Sequence, residues 1–82
     1  MTIYVGNLSY SMNETDLQDV FSEFGNVDSV KIIKDKFSGR SKGYGFIQMD
    51  DDQAKSSAIN ELNGKEVMGR TLKVSMANKK SE

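Results

Sequence analysis

Residues 42–49 read Lys42-Gly43-Tyr44-Gly45-Phe46-Ile47-Gln48-Met49, an octapeptide in which glycines and aromatic residues alternate. If this stretch is a β-strand, successive side chains point to opposite faces. One face then carries a cation, two rings and an amide, whereas the other carries two glycines and two apolar side chains. Rings beside a cation make an unusual core, but they suit a surface on which unpaired bases stack. The octapeptide therefore predicts a strand with one buried face and one binding face.

A second stretch, Ile3-Tyr4-Val5-Gly6-Asn7-Leu8, alternates in the same way. Ile3 and Val5 share one face of the predicted strand, and Tyr4 and Gly6 share the other. Each strand thus offers an aliphatic face for a core and an aromatic face for another purpose. If the two strands were neighbours in one sheet, their rings would lie together.

These two stretches resemble the paired ribonucleoprotein signatures of the RNA recognition motif family. The octapeptide pattern of that family is K/R-G-F/Y-G/A-F-V-x-F/Y, and residues 42–46 match its first five positions. Ile47 stands in place of valine, and Met49 stands in place of the final aromatic residue, a change expected to affect core packing more than binding. The resemblance extends from Thr2 to about Ala77.

Composition excludes several classes of protein. The 82 residues suffice for one small domain. The absence of cysteine and histidine excludes disulfides, thiolate or imidazole metal sites, and catalysis by either residue. No apolar run approaches the roughly 20 residues needed to span a bilayer, and residues 1–8 lack the features of a secretory signal. We therefore expect a cytoplasmic protein with no cofactor, no metal, no membrane partner and no small-molecule substrate.

Charge is unevenly distributed, although the net formal charge is only −1. Residues 13–28 contain five acids and no base, and residues 29–42 contain five bases and one acid. Residues 50–66 contain five acids and two bases, and residues 70–82 contain four bases and one acid. If the acidic blocks form helices on one side of a sheet, the molecule has an acidic side and a basic side.

Periodicity and capping signals predict the remaining elements. Asn13, with Asp16 three residues later, is close to a capping box, and apolar residues at helical spacing follow it to Phe24. Gly25 is predicted to end this helix in the left-handed conformation. The predicted elements are strands at 2–7, 27–34, 42–49 and 70–76, helices at 14–24 and from 50 or 51 to 62, and a short hairpin at 66–69.

The order βαββαβ predicts an α+β fold, a ferredoxin-like sandwich. Right-handed crossovers place both helices on one face of a four-stranded antiparallel sheet and leave the other face uncovered. The family resemblance implies the strand order 4-1-3-2. We expect one RNA recognition motif domain at residues 1–77 and a short flexible basic tail at residues 78–82. The predicted core consists of Ile3, Val5, Leu17, Val20, Phe21, Phe24, Val30, Ile32, Ile47, Ala58, Ile59, Leu62, Leu72 and Val74.

The resemblance also implies which residues bind a ligand. Tyr4 and Tyr44 match the two base-stacking positions of the family, Phe46 matches a ring that packs against sugars, and Lys42 matches a phosphate-pairing position. A monomeric, non-catalytic module for single-stranded RNA is expected, and single-stranded DNA stays open because stacking tolerates either sugar. Further candidates are the cations Lys31, Arg40, Lys73, Lys79 and Lys80 for phosphates, and the polar residues Asn7, Gln48 and Ser75 for base edges.

The sequence also predicts structural roles for four other residues. Gly43 and Gly45 should let a helix approach the sheet, because they lack side chains on the helix side. Gly6 should keep the binding face clear for a nucleotide. Tyr10, in the connection after the first strand, is expected to pack beside a helix.

Two other functions compete with RNA binding. A protein-interaction module could use the acidic helical face, and the low isoelectric point of about 5.4 favours it. An acylphosphatase-like hydrolase on the same scaffold would need an arginine in a phosphate cradle. The connection at residues 7–13 contains no arginine or lysine, so the sequence disfavours the hydrolase and predicts no catalytic residue.

Overall fold

The computed structural model describes residues 2–77, and it places the signature octapeptide in a strand, as predicted. In chain order the elements are β1 (Thr2–Gly6), α1 (Glu14–Ser22), β2 (Val27–Lys34), β3 (Ser41–Met49), α2 (Asp52–Leu62), β4 (Glu66–Val67), β5 (Arg70–Thr71) and β6 (Lys73–Ala77). The two acidic blocks of the sequence coincide with the helices and the residues that flank them.

Four strands form one antiparallel sheet in the order β2-β3-β1-β6. Because β6 is the fourth long strand along the chain, this is the predicted order 4-1-3-2. Helix α1 contacts β2, and helix α2 contacts β6 and β3. The buried apolar residues of both helices belong to one cluster with Ile3, Val5 and Ile47 of the central strands. The helices therefore cover one face, and no other part of residues 2–77 forms a layer over the second face.

The core follows the predicted alternation, with additions from the connection after β1. Ile3, Val5 and Ile47 are fully buried on the central strands. Leu8 and Met12 are also buried, although the predicted core did not include them. Four predicted core residues are only partly buried and pack against the cluster, namely Val20, Phe24, Val30 and Ile59.

Helix α1 begins as predicted and ends earlier than predicted. The Asp16 N–H donates to Asn13 Oδ1 at 2.9 Å, and the Asn13 N–H donates to Asp16 Oδ2 at 3.1 Å, which completes the capping box. The helix ends at Ser22, and Gly25 does not adopt a positive φ, so its predicted role as a left-handed cap is wrong. A Cβ on Gly25 would lie 2.7 Å from Ala54 Cβ. This glycine is needed because α2 approaches the chain closely there.

The predicted strand at 70–76 is wrong in its first part. Residues 70–71 form β5, which pairs with β4 as a separate hairpin. Met68 and Gly69 both have positive φ, 51° and 82°, as the two central residues of a type I′ turn require. After the hairpin, Leu72 bonds to the end of α2, because the Gly64 N–H donates to its carbonyl oxygen at 2.8 Å. Only from Lys73 does the chain join the main sheet.

Candidate nucleic-acid interface

The open face is the sheet surface opposite the helices, and strand register arranges its side chains in rows. Residues opposite each other in antiparallel strands share a face. In the central row Lys31 lies opposite Phe46, Phe46 opposite Tyr4, and Tyr4 opposite Ser75. The next row places Tyr44 opposite Gly6, and Gly6 opposite Lys73. The register thus brings together residues that are up to 71 positions apart along the chain.

The three rings of the open face form one aromatic cluster, defined here as Tyr4, Tyr44 and Phe46. Their ring centroids are 6.0 Å apart for Tyr4–Tyr44, 5.9 Å for Tyr4–Phe46 and 6.1 Å for Tyr44–Phe46. These separations lie in the range in which aromatic rings attract each other. All three residues are half-buried, although no helix covers them. The cluster therefore orders its own rings and keeps part of each ring in solvent.

The glycines act differently from the sequence expectation. A Cβ on Gly45 would overlap the carbonyl oxygen of Lys31 and would lie 3.1 Å from Ile32 Cα, so this glycine allows close approach of β2 and not of a helix. A Cβ on Gly6 would lie 2.9 Å from Tyr4 Cζ. The absence of a side chain at Gly6 therefore makes room for the Tyr4 ring and not for a nucleotide.

Gly43 has a backbone reason for being glycine. Its φ is +88°, a backbone conformation that residues other than glycine rarely adopt. The register of β3 shifts around it, because Ile32 pairs with Gly45 whereas Lys34 pairs with Ser41. This bulge interrupts the regular pairing of β2 with β3 between Ser41 and Gly45. Here too no helix is among the nearest neighbours of an added Cβ, and the nearest atom is Cε1 of Tyr10, 3.3 Å away.

The candidate cations within the described residues are all exposed. Lys31 and Lys73 are exposed on the flanking strands, Lys42 is exposed at the start of β3, and Arg40 is exposed in the β2–β3 loop. Within residues 2–77 the one ion pair joins Lys55 to Asp52, with Nζ and Oδ1 3.4 Å apart, so none of these four cations is neutralised there. Lys79 and Lys80 lie outside the described residues.

The three polar candidates differ in how they are engaged. Ser75 is exposed beside Tyr4, and Gln48 is exposed one row away, where its Oε1 accepts from Thr2 Oγ1 at 3.3 Å. Asn7 has both ends of its amide engaged. Its Nδ2 donates to the Thr71 carbonyl oxygen at 2.7 Å, and its Oδ1 accepts from Arg70 Nη2 at 2.7 Å. A base edge would have to displace one of these partners.

Sequence reasoning missed two residues beside this face. Arg70 bonds to Asn7, and its Cζ lies 5.8 Å from the centroid of the Tyr10 ring. Tyr10 was expected beside a helix, but 66% of its surface is exposed. The available signal was the hairpin turn at Met68-Gly69, which carries Arg70 back to the end of β1.

Acidic groups gather at the far end of β3. The side chain of Asp50 hydrogen-bonds to Asp28 and, together with partial desolvation and the neighbouring charge of Asp50, raises the pKa of Asp28 above 3.8. Between residues 2 and 77 no group of three or more acidic side chains is placed to hold a metal ion. Neither α1 nor α2 is long and apolar enough to cross a membrane.

Comparison with known families identifies this arrangement. The RNA recognition motif family matches residues 3–73, which is most of the chain. The protein belongs to the RNA recognition motif family. Its aromatic cluster occupies the two strands that carry the family signatures, as the resemblance implied.

Relatives with similar sequences cover most or all of the chain. RbpE of Nostoc sp., which is named for RNA binding, is 49% identical over 82 residues, which is 100% of this chain and 83% of RbpE. Glycine-rich RNA-binding protein 8 of Arabidopsis thaliana is 49% identical over 74 residues, which is 90% of this chain and 44% of that protein.

Solved structures agree with the fold. The RNA-binding protein PG1 superimposes with a TM-score of 0.94 at 43% identity, and the match covers 100% of this chain and 99% of PG1. The RNA recognition motif of Rna15 with bound RNA superimposes with a TM-score of 0.87 at 33% identity, and it covers 99% of this chain and 86% of that one. The ferredoxin-like α+β fold is thus confirmed independently of the signatures.

Proposed function

We propose that this protein binds single-stranded RNA on the open face of its sheet and carries out no chemistry of its own. The observation that carries the proposal is the aromatic cluster, whose three rings contact one another on an uncovered face. Bases within a duplex are already stacked on their neighbours, so such rings can accept only bases that are unpaired. Each stacked base contributes about 1–3 kcal/mol.

The surrounding side chains support the same ligand. Exposed Lys31 and Lys73 flank the aromatic cluster in register, and Lys42 is exposed two residues before Tyr44 at the start of β3. Cations spaced around stacking rings fit a ligand that alternates bases with phosphates. Gln48 and Ser75 are the polar groups closest to the cluster by register, and we assign them to base edges. The relatives named for RNA binding and the RNA-bound Rna15 domain favour the same proposal.

Removal of one ring tests the proposal. Tyr44→Ala should weaken binding of a short random-sequence RNA by about 1–3 kcal/mol, because one base loses its stacking partner. Thermal unfolding of the same variant should show a much smaller loss of stability than a core truncation, because the ring is partly exposed. Fluorescence anisotropy with labelled RNA measures the first quantity, and circular dichroism measures the second.

Tyr44→Phe is the matched control, since it keeps the ring and should bind nearly as well as the original protein. Equal affinity of Tyr44→Ala and Tyr44→Phe would contradict the stacking role. Titrations at several salt concentrations test the cations. With roughly four phosphates engaged, the slope of log affinity against log salt should be near −3, at about 0.7 per phosphate of a single strand. The matching DNA, titrated in parallel, shows whether the sugar matters.

The competing functions have less support. The protein-interaction alternative rests on the acids of α1 and α2, and no further feature of residues 2–77 favours it. The monomeric state and the cytoplasmic location inferred from the sequence stay predictions.

A further inference from the structure

A groove lies behind the open face, between the β1–α1 connection and the β2–β3 loop. Its volume is about 740 Å³, within the range of about 300–1,000 Å³ that is typical of ligand sites. Its lining includes Tyr10, Ser11, Asn13, Lys34, Arg40 and Ser41. None of the rings of the aromatic cluster lines it, so the groove is a separate feature of the surface.

The groove lies on the helix side of the sheet. Lys34 pairs with Ser41, and it follows core-facing Ile32 by two positions, so strand alternation turns it towards the helices. Met12, which is 3% exposed, is also part of the lining and belongs to the hydrophobic core. A ligand in the groove would therefore occupy the opposite side of β3 from a base stacked on Tyr44.

The lining combines a ring with cations. Tyr10 is two-thirds exposed, and Lys34 and Arg40 supply two positive charges without any acid in the lining. The loop that carries Arg40 is held in place, because the Asp35 N–H donates to the Arg40 carbonyl oxygen at 2.8 Å and the Arg40 N–H donates to Ser38 Oγ at 3.2 Å. An exposed ring beside two cations suits a base with its phosphate.

A series of contacts leads from the row of Tyr44 to the groove. Gly6 lies in the row of Tyr44 and Lys73, and the next residue, Asn7, accepts from Arg70 Nη2. Arg70 in turn lies over the Tyr10 ring, and it is not part of the groove lining, so it meets that ring from outside the groove. The sequence of groups from the open face to the groove is thus an amide, a guanidinium and a ring.

We propose that this groove is a second nucleotide subsite, in which the RNA strand that stacks on the open face continues. The strand passes over Asn7 and Arg70 at the end of the sheet. It places one base against Tyr10 and the adjoining phosphates beside Arg40 and Lys34. This inference rests on the proposed function, and it extends the RNA footprint from one face of the sheet around its end.

Length-dependent binding tests the inference. Affinities are measured for random-sequence RNA pools of four and nine nucleotides, because only the longer RNA can occupy both the open face and the groove. Tyr10→Ala should lower the affinity for the nine-nucleotide RNA roughly tenfold, the size of one lost stack. Its affinity for the four-nucleotide RNA should stay within about twofold of that of the original protein. Arg40→Gln should lower the longer RNA's affinity selectively in the same way, through the lost phosphate contact.

The same loop offers matched controls. Phe37, 92% exposed, and exposed Lys36 lie outside the groove lining, so Phe37→Ala and Lys36→Gln should change both affinities little. A Phe37→Ala effect as large as that of Tyr10→Ala, or equal losses for both RNA lengths, would overturn the subsite. Absence of binding of either RNA to the original protein would instead refute the proposed function.

A last titration distinguishes a continuing strand from a free nucleotide. Uridine 5′-monophosphate is added to the protein while amide chemical shifts are followed. The proposal predicts that the monophosphate shifts Tyr10 and Arg40 only at concentrations far above those at which the nine-nucleotide RNA does. Saturation of the groove by the monophosphate at similar concentrations would show a nucleotide pocket independent of the sheet, and would overturn the proposal.

Discussion

On β3, Phe46 and Ile47 are neighbours in the chain, yet they belong to different parts of the molecule. Ile47 is 0% exposed and packs beneath the helices, whereas Phe46 lies against the other rings of the aromatic cluster on the open face and keeps part of its surface in solvent. Both residues lie in the same strand, so the difference comes from which layer covers each face. Here stability and ligand binding are assigned to alternate residues of one strand.

The two faces of the sheet also contribute differently to the free energy of folding. A helix layer on one face buries aliphatic side chains, and burial of such side chains dominates folding free energy. The open face lacks that layer, and its rings recover part of the loss by contact with each other, at about 0.5–1.5 kcal/mol per pair. Residues of the open face can therefore be exchanged at moderate cost, whereas residues beneath the helices cannot.

Truncation of these two neighbours should give opposite results. Ile47→Ala should lower the free energy of unfolding by about 2–5 kcal/mol, because it leaves a cavity in the core, and should leave RNA affinity of the folded protein nearly unchanged. Phe46→Ala should cost less stability, but should weaken RNA binding by about 1–3 kcal/mol. Urea denaturation and RNA titration of both variants measure the four quantities.

If Ile47→Ala does not fold, Ile47→Val replaces it as the core truncation. This variant removes one methylene and should lower the free energy of unfolding by about 0.5–1.5 kcal/mol. The contrast between the two faces would be broken if truncation at residue 47 reduced affinity as much as truncation at residue 46, measured where both variants are folded.

The same contrast applies to a pair of glycines. Gly45→Ala should destabilise the protein by about 1–3 kcal/mol or more, since the new Cβ meets the backbone of β2 at Lys31 and Ile32. Gly6→Ala should cost less stability, because the new Cβ meets the Tyr4 ring, 2.9 Å from Cζ, and the ring can turn away. Its RNA affinity should fall, because the ring leaves its stacking position. Denaturation and titration again measure the two effects.

A double substitution sharpens this prediction. If Gly6→Ala acts only by displacing the Tyr4 ring, it should cause no further loss of affinity in a Tyr4→Ala background, because no ring remains to be displaced. Coupling of this kind is expected for residues in contact. Additive losses from the two substitutions would show that Gly6 contributes to binding by another route.

Local patterns predicted most of this molecule. The alternation of residues 42–49 places Tyr44 and Phe46 on one face and Ile47 on the other, and the capping box at Asn13 is formed as expected. The sheet order could be anticipated because family resemblance supplied it, whereas no periodicity in this chain specifies which strands are neighbours. Membership of the family is now shown, but the roles of individual site residues stay proposals.

Features that depend on tertiary contact were not predictable from local pattern. Gly25 carries the sequence signal of a helix cap, but Ala54, 29 positions later, is the contact that requires glycine there. Arg70 carries the signal of a strand, but two positive φ values in the preceding turn place it in a separate hairpin. Tyr10 was expected beside a helix, but it is exposed and lines a groove together with Lys34 and Arg40. The Gly25 and Tyr10 cases depend on residues distant in sequence, whereas the Arg70 case depends on the turn immediately before it.

Asp28, in β2, belongs to neither face of the sheet. Val27 pairs with Met49 and Ser29 pairs with Gln48, so Asp28 is the extra residue of a bulge in β2. Its side chain hydrogen-bonds to Asp50, and this contact, together with partial desolvation and the charge of Asp50, raises the pKa of Asp28 above its usual 3.8. The folded protein therefore holds this proton more tightly than the unfolded chain does.

The raised pKa fixes the sign of a pH effect. Asp28 contributes to stability below pH 3.8, and that contribution is lost as pH rises through the raised pKa. Asp28→Asn stays neutral at every pH and can still donate to Asp50, so its thermal midpoint should slightly exceed that of the original protein at pH 7. This difference in thermal midpoint should become smaller as the pH falls. The RNA affinity of the variant at pH 7 should be little changed. A gap that widens on acidification would mean that the carboxylate, not its protonated form, stabilises the bulge.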